Sequence, residues 1–534
     1  MRKASRKKYG AVFSNCRRIL GKQSWDGVLA ALDPDSRPEG FPDTLTTIKR
    51  KLDLPAFIDD LARLELAACQ VKETRETSMG PVSSLSINPA LSLVPVPWRN
   101  LAGLAAEPCA GERPLPVKSS TVHVILWIHP VTNAFHIREA IDADLLAIKI
   151  VVEELDPRKA ATMGQAKVGT IQSALQRAVR QGLLVAPPSK IQRDFSAIDG
   201  PVEPYKEYQA AEIFTLQWHI TQACDLHCKH CYDRSERNPM PYDRALAVLD
   251  DFFDFCGQMN VNGQVTFTGG NPLLYPHFAG LYQEASDRGF GVAVLGNPTP
   301  EDHMQSLFAD RKPLFFQISL EGLEEHNDYI RGPGHFNRSL AFLDLLKQMD
   351  IYSMVMLTLT RDNMGQVLPL GEVLRDRTDF FTFNRISTVG EGRHLLMPQK
   401  EAYIAFLHAY ETAARKNPVL GLKDNLLNIV RNESGGPVFG GCTGYGCGAA
   451  FNFVSLLPDG EVHACRKFPS LIGNMRNQSL LDIYASDIAR KYRSGSRACR
   501  TCCLNPVCRG CLAITYSSGR DIFQEKDPYC FAAD

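Results

Sequence analysis

Hydrophobic residues in the middle of the chain alternate between strand-like and helix-like segments. Between residues 211 and 390, runs such as EIFTLQWHIT, QVTFTGG and YSMVMLTLT have the apolar and β-branched content of strands. Segments such as DRALAVLDDFFDFCGQ separate these runs and carry apolar residues at helical spacing. Repeated β–α units of about 25–35 residues are typical of a parallel sheet with helices outside it. The pattern therefore predicts an α/β fold, open or barrel-like, whose functional loops follow the carboxyl ends of the strands.

The front of the chain has a different pattern. Residues 1–75 show helical spacing, and residues 76–118 are rich in Pro, Ser and Leu, which predicts an irregular linker. From residue 119 the run STVHVILWIHP alternates like a strand, and GTIQSALQRAVRQGLL reads as an amphipathic helix that ends at Gly182. Strands followed by helices predict a small winged-helix-like module over residues 119–194.

Length and charge restrict the class of protein. A chain of 534 residues is too long for one ordinary domain, so two to four are expected. Lys plus Arg equals Asp plus Glu, at 59 each, so we expect no nucleic-acid partner. No run of about 18 apolar residues occurs, and no apolar stretch follows the basic start. We therefore expect a cytoplasmic protein without a membrane partner.

The sixteen cysteines are the strongest compositional feature. Three lie in the segment 224–231, and nine lie between Cys442 and Cys530. In a reducing compartment, cysteines grouped in this way bind metal ions or iron–sulfur clusters more often than they form disulfides.

The first group reads CDLHCKHCY, with thiols at Cys224, Cys228 and Cys231. Structural zinc usually takes its ligands as two separated pairs, and this run does not fit that rule even with His227 and His230 nearby. A [4Fe–4S] cluster has four irons, so three thiolates leave one iron open for a substrate. The spacing favours a cluster with an open iron over zinc.

With the aromatic Tyr232 behind the third cysteine, the motif resembles the CxxxCxxC motif of the radical S-adenosylmethionine (SAM) superfamily. The resemblance implies a partial (β/α)6 barrel over residues 211–395. It also implies that Cys224, Cys228 and Cys231 hold a catalytic cluster that cleaves SAM reductively. A 5′-deoxyadenosyl radical would then abstract hydrogen from a substrate.

The resemblance extends to the SAM-binding segments. FTGGNPLL is similar to the family's glycine-rich GGEP loop, in which Asn271 takes the place of the glutamate and supplies no negative charge. Ser319 would reach a ribose hydroxyl, and Arg331 would pair with the SAM carboxylate as a planar fork. The implied SAM-binding residues are Tyr232, Gly269, Gly270, Asn271, Asn297, Ser319 and Arg331.

The second group of cysteines lies in residues 441–534, behind a predicted helical bridge over 396–440. Bare CxxC pairs would suggest zinc knuckles, but the full spacing resembles the SPASM domain, which holds two auxiliary [4Fe–4S] clusters. One departure is Cys508 to Cys511, with two residues between them where the family usually has three. The resemblance implies two ligand sets, which are Cys442, Cys447, Cys465 and Cys511 for one cluster and Cys499, Cys502, Cys508 and Cys530 for the other. Cys503 is left without a role.

SPASM enzymes mostly modify peptides or proteins, and the module at 119–194 resembles the precursor-peptide recognition element that captures a leader peptide as an added strand. A DNA-binding winged helix is the alternative, but its recognition helix would contain few basic residues. The chain is therefore predicted to be a maturase of a ribosomally synthesised peptide. Its partners would be a precursor peptide with a leader and a one-electron donor such as flavodoxin or ferredoxin.

The segments LLAIKIVVEEL and LLVAPPSKI make the chain most similar to the selenobiotic or thio(seleno)oxazole peptide maturases. That resemblance implies radical chemistry at a Cys or Sec side chain that leads to oxidative cyclisation or crosslinking. One alternative is an anaerobic sulfatase-type maturase that oxidises Cys or Ser, against which the front extension of about 200 residues argues. Another is an iron–sulfur electron carrier or regulator that does not use SAM.

Overall fold

A computed structural model describes residues 9–33, 36–74, 80, 82–106, 116–198 and 201–532. The chain divides into two compact units, Met1–Pro188 (unit 1) and Ser189–Asp534 (unit 2). In the described ranges, no helix is both long enough and apolar enough to span a membrane.

Unit 1 combines helices with two small antiparallel sheets. Its helices are α1 (Ser14–Ala30), α2 (Phe41–Ile48), α3 (Ile58–Glu73), α4 (Leu101–Ala105), α5 (Asp142–Val152), α6 (Pro157–Met163) and α7 (Val168–Arg180). Its strands are β1 (Ser86–Ile87), β2 (Leu91–Arg99), β3 (Lys118–Ile128), β4 (Phe135–Glu139) and β5 (Leu184–Val185). The larger sheet has the order β2-β3-β4, and β1 pairs with β5.

Both faces of the three-stranded sheet are buried, because different helices cover them. Val124 and Leu126 pack into a core with residues of α1, α2 and α3. Ile125 and Trp127 point the other way and pack with residues of α5, α6 and α7. This arrangement explains why the middle of β3 is an uninterrupted apolar run. It also shows that the N-terminal helices form one wall of this unit.

The predicted linker over 76–118 was wrong for its middle part, which contains β1, β2 and α4. Pro95 and Pro97 suggested an irregular segment, yet both lie in β2 at the edge of the sheet. An edge strand tolerates proline, since the missing N–H is not needed on the open side. The carbonyl of Ala90 accepts from the Ile128 N–H, so every second residue of β2 directs its backbone N–H and C=O positions away from β3. Both prolines are at such positions.

Unit 2 is built on one nine-stranded sheet. Its strands are β6 (Ile213–Thr221), β7 (Asn262–Gly269), β8 (Gly291–Leu295), β9 (Phe316–Ser319), β10 (Ser353–Leu359), β11 (Phe380–Arg385), β12 (Phe453–Leu456), β13 (Glu461–His463) and β14 (Leu471–Asn474). Its helices are α8 (Tyr242–Met259), α9 (Phe278–Asp287), α10 (Glu301–Phe308), α11 (Glu324–Arg331), α12 (His335–Gln348), α13 (Val367–Val373), α14 (Lys400–Ala414), α15 (Leu427–Glu433), α16 (Leu480–Ala485), α17 (Asp487–Ser494) and α18 (Leu512–Ser517).

The predicted α/β architecture is confirmed. Strands β6 to β11 pair in chain order, and every pairing is parallel. A helix follows each of the first five, as right-handed β–α crossovers require. Strand β12 continues the sheet parallel to β6, and β13 and β14 add an antiparallel hairpin. The cysteine-rich C-terminal region is therefore joined to the barrel by main-chain hydrogen bonds.

Candidate active site and iron–sulfur sites

The first three cysteines lie in the long loop that leaves the carboxyl end of β6. Burial raises the pKa of the Cys228 thiol. The guanidinium of Arg331 opposes this rise, and the neighbouring thiols of Cys224 and Cys231 add to it. Burial likewise raises the pKa of Cys231, and Cys224 contributes in the same direction. The three thiols are therefore close enough to repel one another as thiolates. A bound cation or cationic iron core would relieve that repulsion.

A single metal ion does not match these groups. Within the described ranges, no three or more His, Cys, Asp or Glu side chains are arranged to hold one metal ion. A [4Fe–4S] cluster places a different demand on the protein, because each thiolate binds its own iron.

Glu321, which sequence reasoning did not single out, connects the cysteine loop to the strands behind it. Its Oε1 accepts from Nε2 of His230 at 2.7 Å and from Nη2 of Arg331 at 2.5 Å, and its Oε2 accepts from the Thr358 N–H at 2.8 Å. The side chain is 1% exposed. Burial would raise the pKa of Glu321, but His230 and Arg331 together lower it to about 2. The carboxylate is thus ionised and holds two cationic or polar groups against the thiols.

Arg331, which was predicted to pair with the SAM carboxylate, lies beside the thiols, and its fork is already engaged. Nε and Nη2 both bond Glu321, and Nη1 lies 3.7 Å from Sγ of Cys228. Burial would lower the pKa of Arg331, whereas Glu321 and Cys228 raise it, so the guanidinium stays charged. The structure thus gives Arg331 partners within the protein in addition to any contact with SAM.

The glycine-rich loop after β7 is fastened to the start of the cysteine loop. The N–H groups of Gly270 and Asn271 donate to the carbonyls of Thr221 and Ala223 at 2.8 and 2.7 Å. A Cβ at Gly269 would lie 2.2 Å from the Thr221 oxygen, and one at Gly270 would lie 2.1 Å from the Ala223 oxygen. Both positions therefore require glycine, because backbone approaches backbone there.

Two amides that were predicted to touch SAM converge on one carboxylate. Nδ2 of Asn297 lies 2.6 Å, and Nδ2 of Asn271 3.1 Å, from Oδ1 of Asp225. Asn297 Nδ2 also lies 3.7 Å from Sγ of Cys224. Asp225 follows Cys224 directly in the motif, and its exposed carboxylate brings to this place the negative charge that Asn271 lacks.

Tyr232 and Ser319 are placed differently from one another. Tyr232 is turned into the interior, where its hydroxyl lies 3.4 Å from Nε2 of His219 and burial raises its pKa. The guanidinium of Arg466, which follows Cys465, lies 5.2 Å from the Tyr232 ring and pairs with Asp233. Ser319 ends β9, half-buried at the edge of the sheet where the cysteine loop begins. Tyr232 therefore packs in the interior beside His219 and Arg466, and its contact with SAM stays a prediction.

The segment after β11 closes against the cysteine loop. The Glu391 N–H donates to the Cys231 carbonyl at 2.8 Å. A Cβ at Gly390, which has a φ of +56°, would lie 2.4 Å from the backbone carbonyl oxygen of Tyr232. The loops after β6, β7 and β11 therefore meet at one edge of the sheet.

The structure brings the first predicted SPASM set together around a single cavity of about 50 Å³. All four of its thiols line the cavity, and they belong to Cys442, Cys447, Cys465 and Cys511. Burial raises the pKa of Cys447 to about 11 and that of Cys465 to about 12, and neighbouring thiols add to both shifts. Lys423 places Nζ 3.6 Å from Sγ of Cys442. A cavity walled by four thiols fits a group that binds four thiolates.

The second set also comes together, although its members span 32 residues. Burial raises the pKa of Cys499 to about 12, with further contributions from Cys530 and Cys502. Cys508 is buried, and Cys499 and Cys530 raise its pKa further. Cys503 is exposed at the surface. The shorter Cys508–Cys511 spacing therefore does not prevent the two cysteines from joining different sets.

The two sets are adjacent and are tied to the barrel. The Cys447 N–H donates to the Cys508 carbonyl at 3.1 Å. Arg385 at the end of β11 bonds Asp527 through Nη1 and Nη2 at 3.0 and 2.7 Å, and Asp527 accepts from the Cys511 N–H at 3.0 Å. Arg385 and Asp527 are both buried, so this pair fixes the C-terminal loop against the last barrel strand.

Comparison with known protein families identifies both regions. Residues 218–372 match the radical SAM superfamily, and residues 447–511 match the iron–sulfur cluster-binding domain called SPASM. The chain is thus an enzyme with a radical SAM domain and a SPASM domain, and these domains imply SAM and iron–sulfur clusters as cofactors.

Curated relatives include proteins with different names. The chain is 24% identical to an AdoMet-dependent heme synthase of Methanosarcina barkeri, over 59% of this chain and 95% of that protein. It is 25% identical to the antilisterial bacteriocin subtilosin biosynthesis protein AlbA of Bacillus subtilis, over 51% of this chain and 59% of AlbA. It is 26% identical to the mycofactocin maturase MftC of Mycobacterium ulcerans, over 59% of this chain and 87% of MftC.

Among solved structures, SuiB of Streptococcus suis, bound to S-adenosylmethionine, shares the fold with a TM-score of 0.50 and 16% identity. The match covers 77% of this chain and 96% of SuiB. Unit 2 makes up less than two thirds of the chain, so the shared fold extends into unit 1.

Proposed function

We propose that the protein is a radical SAM maturase of a ribosomally synthesised peptide, in which unit 1 binds the leader and unit 2 carries the chemistry. The observation that carries this proposal is the three-stranded sheet of unit 1 with an open strand edge, in a chain that also has radical SAM and SPASM domains. The names of two relatives, a bacteriocin biosynthesis protein and a mycofactocin maturase, support it.

The outer edge of β4 is the place for a leader peptide. The Ala140 N–H donates to the His123 carbonyl of β3, so alternate residues of β4 face β3 and the others face outward. Phe135, Ile137 and Glu139 are the outward-facing residues. Their backbone N–H and C=O groups can bond an added strand, although the Glu139 carbonyl already accepts from Nη1 of Arg138 at 3.0 Å. Within the described residues no strand pairs with this edge.

The opposite edge of the sheet is less suited to strand addition. Pro95 and Pro97 of β2 face outward and have no N–H to donate. Proline at an edge is a common protection against further strand pairing. The leader is therefore expected on β4, next to the helices that follow it.

In unit 2, Cys224, Cys228 and Cys231 would hold one [4Fe–4S] cluster with an open iron, and the two SPASM sets would hold two more. When bound, the open-iron cluster and SAM supply a 5′-deoxyadenosyl radical that abstracts hydrogen from the peptide. Asn271, Asn297 and Asp225 would face SAM on one side of the thiols. The ion pair of Arg331 and Glu321 would lie on the other side, next to Cys228. A flavodoxin or ferredoxin would supply the electron.

The specific reaction we propose is abstraction from the β-carbon of a Cys-type or Sec-type side chain, followed by oxidative cyclisation or crosslinking. The test uses a synthetic peptide encoded by a short Cys-rich reading frame beside the gene, deuterated at the cysteine β-carbon. Deuterium should appear in 5′-deoxyadenosine, and a peptide labelled only at Cα should transfer none. Transfer from Cα would indicate a thioether-forming or epimerising maturase, and transfer from no position would refute peptide modification.

A heme-synthase-type activity is the second candidate, because heme synthases are prominent among the curated relatives. The aligned region accounts for 95% of the Methanosarcina barkeri protein, so more than a third of this chain has no counterpart there. A heme-synthase role would leave the open β4 edge of unit 1 without a use. Binding of the leader peptide at micromolar concentration by the intact enzyme, measured by fluorescence anisotropy, would favour the maturase.

A further inference from the structure

Two arginine side chains meet beside the SPASM thiol sets, and a third arginine, Arg493, supplies the backbone carbonyl that both of them bond. Arg193 comes from the segment that precedes β6 and is 5% exposed. Its Nη2 donates to the carbonyls of Cys447 and Tyr445 at 2.7 and 3.0 Å, and its Nη1 donates to the carbonyl of Arg493 at 3.2 Å. The first guanidinium thus lies directly against the backbone of a thiol-bearing residue.

The guanidinium of Arg509 is tied to the same carbonyl. Arg509 donates from Nη1 to the carbonyl of Arg493 at 2.8 Å, so Arg193 and Arg509 share one acceptor. Arg493 itself donates from Nη1 to the carbonyl of Tyr484 at 2.7 Å. Arg509 follows Cys508 directly and has a φ of +61°, a conformation that costs energy for a residue other than Gly, Asn or Asp.

None of these positive charges has a carboxylate partner among the described residues. In the part of the chain that the structure describes, no ion pair includes Arg193, Arg493 or Arg509, and their acceptors are backbone carbonyls and the Asn505 amide. In the described ranges Nε of Arg193 is buried without a hydrogen-bond partner, and the guanidinium lies 3.8 Å from the centroid of the Phe451 ring. A buried charge that is not neutralised is costly, so an anion is expected nearby.

The nearest groups that can become anionic are the cysteine ligands themselves. Cys447 belongs to the first set and Cys508 to the second, and the Cys447 N–H bonds the Cys508 carbonyl at 3.1 Å. A [4Fe–4S] cluster with four thiolate ligands carries net negative charge, and its potential depends on nearby charge, hydrogen bonds and burial. Positive charge close to such a cluster stabilises its reduced, more negative form.

We propose that Arg193 and Arg509 are the counter-charge of the two auxiliary clusters and raise their reduction potentials. The inference rests on the proposed presence of both clusters. A higher potential makes each cluster a better acceptor for the electron that the peptide radical loses when it is oxidised. The inference also assigns a role to Arg193, which lies outside every cysteine motif.

The test is an anaerobic redox titration followed by EPR on the full chain. Each variant also carries Cys224→Ala, Cys228→Ala and Cys231→Ala, so that only auxiliary clusters contribute. R193M and R509N each remove one charge, and asparagine tolerates the backbone conformation at 509. R193K keeps the charge but loses the fork. R490M removes an exposed charge from α17 and is the matched control.

R193M and R509N should shift the midpoint potential of an auxiliary signal to more negative values, whereas R193K and R490M should leave it near that of the parent. If one of R193M and R509N fails to retain iron, the other variant still tests the loss of charge. Unchanged potentials in the charge-removing variants would overturn the inference, and so would an equal shift in R193K. A parent protein that holds no auxiliary iron would instead refute the proposed clusters.

Discussion

Glu321 and Asp225 are two carboxylates that decide the charge around the cysteine loop. Glu321 is buried behind Cys228 and pairs with His230 and Arg331. Asp225 lies at the surface of the loop and collects the amides of Asn271 and Asn297. Both residues stand within the sequence motifs, but only their hydrogen-bond partners in the fold show which groups each carboxylate binds.

At the residue scale, the first prediction concerns Arg331. In Arg331→Lys a point charge replaces a planar fork, so Glu321 and the SAM carboxylate can no longer both be bonded. SAM affinity, measured anaerobically by isothermal titration, should fall about tenfold, which corresponds to the loss of roughly one charged hydrogen bond. Arg338→Lys on the exposed face of α12 is the control, and iron content should not change in either variant. Unchanged affinity in Arg331→Lys would remove this residue from the SAM site.

The second prediction concerns Asp225. Asp225→Asn keeps the shape but removes the carboxylate beside Cys224, and Asn271 cannot supply the missing charge. SAM affinity should decrease, and the iron content should stay at the wild-type value. Asp243→Asn, an exposed change on α8, should have no effect on the same titration. If the Asp225 variant binds SAM as tightly as the wild type, the Asp225 carboxylate does not contribute to SAM binding.

At the scale of elements, the loops after parallel strands carry the site because those strands end at one edge. The cysteine loop follows β6, the glycine loop follows β7, and the segment at Gly390 follows β11. Their backbones bond one another directly, as in the pairing of Gly270 with Thr221. Each loop is therefore positioned by its neighbour as well as by its own strand.

The third prediction concerns the cysteine loop as a unit. Three [4Fe–4S] clusters correspond to about 12 irons per chain after anaerobic reconstitution. Changing Cys224, Cys228 and Cys231 together to Ala should leave about 8 irons and abolish SAM cleavage. Cys503→Ala, at the exposed cysteine, should keep all of the iron. Full iron content in the triple variant, with continued formation of 5′-deoxyadenosine, would show that the cluster lies elsewhere.

The fourth prediction concerns the β4 edge. Ile137→Pro removes one outward N–H from β4 without interrupting the bonds to β3, so leader affinity should fall about tenfold by fluorescence anisotropy. Leu93→Pro makes the same change at an outward position of β2, and both side chains are partly buried. The control should bind the leader as tightly as the wild type. Equal losses in both variants would argue against β4 as the specific docking edge.

At the scale of the whole molecule, the chain consists of two compact units with separate cores. The radical SAM and SPASM matches lie entirely in unit 2. The hairpin of β13 and β14 continues the barrel sheet through β12, so barrel and SPASM region form one structural unit.

The fifth prediction follows from this division. Deleting residues 1–188 should leave SAM cleavage without peptide intact, because all of the predicted cluster ligands lie in unit 2. Affinity for the full precursor peptide should be lost, because the leader site lies in unit 1. The peptide without its leader should bind the full chain and the truncated chain equally weakly. Full-strength precursor binding by the truncated chain would refute leader capture by unit 1.

The linear pattern was sufficient for the α/β architecture, the cysteine motifs and their division between barrel and SPASM region. Local spacing carries this information, since β–α alternation and CxxxCxxC runs are defined within short windows. The linear pattern did not predict β2, because its two prolines suggested a loop. An edge strand can contain them, and only the fold shows that β2 lies at an edge.

Tertiary structure alone decided which distant residues meet. Glu321 pairs with His230, two asparagines converge on Asp225, and Arg193 contacts Cys447. The residues that meet in these contacts are 46 to 254 positions apart. No spacing rule connects such residues, because their proximity depends on how strands order in the sheet and how the C-terminal loops fold onto it. The sequence by itself therefore determined which chemical groups the chain contains, and the fold determined which charges surround them.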